Sequence, residues 1–81
     1  SLVADRPQDL VPALSLVISD LQATPGSADR LVLEVPDSGR FLSPLDIDAF
    51  AILARNLIEN AVRHGDTSMP VRVSLKADGL F

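Results

Sequence analysis

Apolar positions along this chain recur with two periods, one helical and one extended, and each change of period marks an element. Residues 8–11 read as a short extended entry. Pro12 then suits the first turn of a helix over 12–23, where its missing N–H costs no hydrogen bond. Within that helix Leu14, Val17, Ile18 and Leu21 share a face while Ser15, Ser19 and Gln22 turn away, and Thr24, Pro25 and Gly26 end the segment. Residues 30–35 alternate weakly, with Leu31, Leu33 and Val35 opposite Val32 and Glu34, and stop at a turn through Pro36, Asp37, Ser38 and Gly39. A short strand over 40–42 is expected to return from that turn.

Ser43, Pro44 and Asp46 then mark a helix start in three ways: an N-cap hydroxyl, a proline at the first helical position and an acid at the third. The helix is expected over 44–64. Ile47, Phe50, Ala51, Ala54, Leu57, Ile58, Ala61 and Val62 fall on one broad apolar arc that should dock on a sheet, with Asp48, Arg55 and Glu59 on a charged flank. Gly65 closes the helix as its C-cap, and residues 66–70 form a polar loop. Val71, Val73, Leu75 and Ala77 alternate with Arg72, Ser74, Lys76 and Asp78, which predicts a strand over 70–77. Asp78-Gly79 is a hairpin turn signal, and Leu80 and Phe81 begin the next strand at 80–81. The resulting order β-α-β-β-α-β predicts an α/β (α+β) two-layer sandwich, a mixed sheet with two helices on one face. A strand begun and left open implies a partial domain, whose bare edge is expected to pair with a second copy.

Composition narrows the function classes. At 81 residues the chain is one small domain, and 47% hydrophobic content is enough to build a packed core. Its net charge of -4 has the wrong sign for tracking a phosphate backbone, so no nucleic acid is expected as a partner. The absence of Cys removes disulfides and thiolate metal ligands. No apolar run approaches the roughly 20 residues of a membrane-spanning helix, so no membrane contact is expected from this segment.

The chemistry is concentrated in Asn56-Leu57-Ile58-Glu59-Asn60-Ala61-Val62-Arg63-His64. Two carboxamides one helical turn apart share a side, and Arg63 and His64 follow a turn later. Amide oxygens, a guanidinium and an imidazole suit a hydrated metal ion and phosphate. From the helix alone, two solvated amides are an equally good reading, and Arg63 could simply complement the negative end of the helix dipole. Glu59 belongs to the charged flank, paired with Arg55 or Arg63 at helical spacing. A single His makes a zinc site improbable, and no nucleophile with a neighbouring base is visible.

The motif Asn56-Leu57-x-x-Asn60-Ala61-x-x-His64 resembles the asparagine-bearing helix of sensor histidine kinases, members of an ATPase superfamily that includes type II topoisomerases and a heat-shock chaperone. The resemblance implies the N-terminal half of a Bergerat-type ATPase domain from a cytoplasmic protein-histidine kinase of a two-component system, homodimeric and in many relatives anchored to the inner membrane. It implies that ATP is bound with Mg²⁺ and that the γ-phosphoryl group passes to a histidine on a separate phosphoacceptor domain, and from there to a response regulator. Asn60 would ligate Mg²⁺, Asn56 would lie near the phosphates, Arg63 would pair with phosphate oxygens, and His64 would line the nucleotide pocket. No residue of the segment is assigned a catalytic acid–base role. The family's Asp-x-Gly-x-Gly and its glycine-rich lid are missing from these 81 residues, so the chain should bind ATP weakly or not at all and should not autophosphorylate. Two alternatives stand beside this reading. One is an anti-sigma-type serine kinase or topoisomerase-like ATPase of the same superfamily, and the other a non-catalytic module that recruits a partner strand to the edge beside 71–77.

Overall fold

The computed structural model describes residues 2–23, 30–65 and 68–76. Along the chain run β1 (Val3–Asp9), α1 (Val11–Gln22), β2 (Leu31–Glu34), β3 (Leu42–Leu45), α2 (Ile47–His64) and β4 (Val71–Ser74). The class is α+β, and the order of elements is the expected one. The strands, however, form two small sheets instead of one mixed sheet: β1 pairs antiparallel with β3, and β2 pairs parallel with β4. Prolines explain the split. Pro7 lies in β1 and Pro44 in β3, each without an N–H to offer a ladder. From Val3 to Gln8, β1 advances five residues while β3 moves only two, from Leu45 to Ser43. A strand pair so interrupted presents no continuous edge on which β2 or β4 could extend.

Several boundaries move for local reasons. The first strand occupies 3–9, not 8–11, and the third occupies 42–45, not 40–42. The long helix begins at Ile47 instead of residue 44 because Asp46 caps it: its Oδ2 accepts the Ala49 N–H at 2.9 Å. The Ser43 hydroxyl, buried in β3, instead accepts the Leu45 N–H at 3.2 Å. β4 ends at Ser74, short of the predicted 77, because β2 supplies only four partners, from Leu31 opposite Val71 to Glu34 opposite Ser74. The turn at Pro36 closes as expected, with the Gly39 N–H donating to the Pro36 carbonyl at 2.8 Å and Gly39 at φ +75°. Thr24-Pro25-Gly26, the start of the 66–70 loop, Asp78-Gly79 and the strand expected at 80–81 lie outside the described residues.

The first helix packs as its periodicity requires. Leu14, Val17, Ile18 and Leu21 are buried together with Leu31 of β2 and with Ala54 and Ile58 of α2. Leu33, Val71 and Val73 close the core from the sheet side. On the opposite sheet face Arg72 meets Glu34 at 3.6 Å, an exposed pair of small energetic weight. The second helix departs from expectation, because Leu57 is 59% exposed and Ala61 is also exposed. The reason is width. Helices packed side by side lie about 8–10 Å apart, whereas neighbouring strands are only about 4.8 Å apart. With α1 and α2 resting on β2 and β4, the outer flank of α2 overhangs the sheet, and the broad apolar arc is only partly covered. No helix among the described residues is long and apolar enough to cross a membrane.

Asp9 ties the first turn of α1 to the approach of β3. Its Oδ1 accepts the N–H groups of Phe41 and Val11, both at 3.0 Å. These hydrogen bonds, Phe41 first and then Val11, with a smaller contribution from Arg40, hold the Asp9 carboxyl below its ordinary pKa against a modest opposing effect of burial.

Two outcomes are expected. Leu14→Ala, at a side chain 1% exposed, should destabilise the fold by about 2–5 kcal/mol in urea unfolding, while Leu16→Ala on the exposed side of the same helix should stay within about 0.5 kcal/mol. Asp9→Asn should lower stability at neutral pH. Because the folded carboxyl binds its proton less readily than the unfolded one, its contribution is complete above about pH 3.9 and is lost as pH falls through the lowered folded value. Acid titration of the variant should therefore show a flatter loss of stability below about pH 4 than the wild type; parallel curves would remove Asp9 from this role.

Candidate functional site

Ala54 and Ile58 fix the rotation of α2, and that rotation decides where the carboxamides go. Asn56 and Asn60 each follow a buried residue by two positions, which is about 200° around a helix. Both therefore face away from the core and are exposed, one turn apart. Arg63 and His64 occupy the last turn, are exposed as well, and place positive or polar groups at the negative end of the helix dipole, as Asp48 places an acid at the positive end. Among the described residues, none of the side chains of Asn56, Asn60, Arg63 and His64 makes a hydrogen bond or ion pair within the protein. Their capacity is left to water or to a ligand.

The surroundings of the two asparagines differ. Asn56 lines an open groove of about 380 Å³ between α1 and α2, beside Asp48 and Arg55. Asn60, Arg63 and His64 lie outside it. A second groove of about 190 Å³ runs under the overhanging flank of α2, where Phe50, Leu53 and Leu57 face Val73 and Leu75, and it contains none of the four. The four candidates thus share one helix without sharing one cavity. The expected pairing of Glu59 with Arg55 or Arg63 is not formed. Arg55 reaches across to α1 instead, its Nη2 donating to Asp20 Oδ2 at 3.0 Å, because close packing of the two helices brings Asp20 nearer than the neighbouring turn.

Sequence reasoning missed Arg30, which organises the end of α2. Its Nε donates to the Met69 carbonyl at 2.9 Å and its Nη1 to the Val62 carbonyl at 3.3 Å, while its own carbonyl accepts the Val71 N–H at 2.6 Å. One residue thereby joins the last helical turn, the loop after it and the start of the parallel sheet. A guanidinium acting on a carbonyl 32 positions away leaves no local signal in the sequence. Gly65 contributes by being small. Its N–H donates to the Ala61 carbonyl at 2.9 Å, and a Cβ there would meet the same oxygen at 2.6 Å. Its backbone is extended, at φ -81°, so close approach and not a left-handed conformation requires glycine.

Compared with known proteins, the chain matches no family model, no curated protein and no solved structure.

Arg30→Ala should cost about 1–2 kcal/mol, the lower part of the range for charged hydrogen bonds because the group is partly exposed. Amide exchange should quicken in the last turn of α2 ahead of the rest of the helix. Arg30→Lys should restore only part of the loss, since an ammonium lacks the planar fork that serves two carbonyls. Uniform acceleration along α2 would count against a local clamp.

Proposed function

We propose that this chain supplies the asparagine-bearing helix of an ATP-binding domain of the sensor histidine kinase type. The observation that carries the reading is the pair of exposed, unengaged carboxamides on a helix whose opposite face is anchored in the core. The β-α-β-β-α-β order, with the asparagines on its second helix, supports it. An α+β class alone would not, because many unrelated sites are built on such folds.

The donor set fits the proposed ligands. Magnesium prefers oxygen ligands and keeps several waters, so one amide oxygen from Asn60 suffices alongside phosphate oxygens. Bound there, the ion would screen the charge of the phosphate groups. The resemblance of the helix to that of the histidine kinases is what assigns this contact to Asn60. Asn56 cannot accept a proton and therefore does not activate water, which favours transfer of the γ-phosphoryl group from ATP to a ring nitrogen of an acceptor histidine, leaving ADP. That acceptor is not His64. Arg63 offers two parallel N–H donors to phosphate oxygens, and His64 a ring edge to the bound nucleotide. With no Asp-x-Gly-x-Gly in these 81 residues, the adenine has no reader here and the phosphates carry the affinity.

The reading is tested by titrating the isotopically labelled chain with Mg²⁺-ATP. Amide shifts should concentrate between residues 56 and 64, saturate at about 1 mM or above, weaken when Mg²⁺ is omitted, and disappear in Asn60→Ala, while no phosphohistidine forms on this chain. Shifts that avoid the last turns of α2, or an Asn60→Ala titration matching the wild type, would end the proposal.

A further inference from the structure

The groove between α1 and α2 has a composition that the nucleotide reading does not use. Leu16 is 68% exposed and Ile52 is 65% exposed, facing each other across a floor that includes Ala13, Val17 and Ala51. Two large aliphatic side chains standing in solvent on either side of small floor residues make a channel, and its walls are themselves helices. A third helix laid between them would bury both flanking side chains and pack at ordinary interhelical distance.

Charge selects the kind of helix. Among the described residues, the ionisable groups lining the groove are Asp20, Asp48 and Arg55. Arg55 is taken by Asp20, and among the described residues no ion pair reaches Asp48. α1 contains no basic residue at all. The groove therefore presents uncompensated negative charge on a chain of net charge -4. Two copies meeting through this face would bring like charges together, which disfavours a symmetric dimer there.

From this geometry we infer that the α1–α2 groove is a docking site for a basic amphipathic helix of a partner protein, an apolar stripe seated between Leu16 and Ile52 with Lys or Arg residues flanking it toward Asp48. Recognition is helix-in-groove: apolar anchors at helical spacing give affinity and the rim charges give orientation. The site meets the proposed ATP contacts at Asn56 alone.

The test uses two synthetic peptides of about 18 residues, long enough to form helix, with leucines at helical spacing and the remaining positions lysine in one and glutamate in the other. The lysine peptide should shift the amides around Leu16, Ala51 and Ile52, and its affinity should fall with added salt. Ile52→Ser, at an exposed position where far-UV circular dichroism should report an intact fold, should weaken it by about tenfold or more, the scale of a hot-spot loss. Asp48→Asn should weaken it less. Leu57→Ser, on the other flank of α2, should leave it unchanged. The inference fails if the glutamate peptide binds equally well, if Ile52→Ser binds undiminished, if the shifts map to the β1–β3 sheet or the second groove, or if the chain alone self-associates through Leu16 and Ile52.

Discussion

Two helices lie side by side over two strands, and they are wider than what they cover. That mismatch governs most of what is distinctive here. The strands meet the inner flanks of α1 and α2, where Leu14, Val17, Ile18, Leu21, Ala54 and Ile58 are buried, and leave the outer flanks in solvent. Leu57 and Leu53 on one side of α2 and Ile52 on the other are exposed because the support ends, not because their pattern is polar. Both grooves follow from the same geometry: one lies between the helices and the other beneath the overhang beside β4.

The second helix is consequently held more by its ends and by a narrow line of contacts than by a broad face. Asp46 fixes its start, Gly65 its finish, and Arg30 ties the Val62 carbonyl to the loop and the sheet. This arrangement suits a helix that presents polar groups outward. With the last turn clamped from behind, Asn60, Arg63 and His64 are carried on a backbone whose position is set by protein contacts that none of those side chains has to make.

Much of this was readable in the sequence where the signal is periodic. The buried face of α1 follows its spacing residue by residue, and Val71 and Val73 turn inward while Arg72 and Ser74 turn out. Signals that depend on competition were less readable. Ser43 and Asp46 are both good caps three residues apart, and the outcome depends on whether Ser43 is already committed within a strand, which its own neighbourhood does not reveal. The extended run through Pro44 was hidden because proline there reads as a helix start. The exposure of Leu57 is not legible in its spacing, because a helical arc shows which side is apolar but not how much sheet lies beneath it. Arg30 was invisible for the simplest reason, since its partners are distant in sequence. For the site, sequence gave the types and spacing of Asn56 and Asn60, while the separation of Asn56 into a groove that Asn60 does not share needed the packing of α1.

The two sheets are interleaved along the chain: first strand with third, second with fourth. Leu31 and its partner Val71 are forty residues apart, so neither sheet can close locally, and the chain must bring distant segments together at a loop-closure cost before either ladder forms. The turn from Pro36 to Gly39 sits between the second and third strands. A single proteolytic nick there would produce two pieces, each a helix with one strand from either sheet, and every ladder would then join separate molecules. Such pieces are complementary halves with no pairing of their own, and reassembly from them would depend on concentration in a way the intact chain never does.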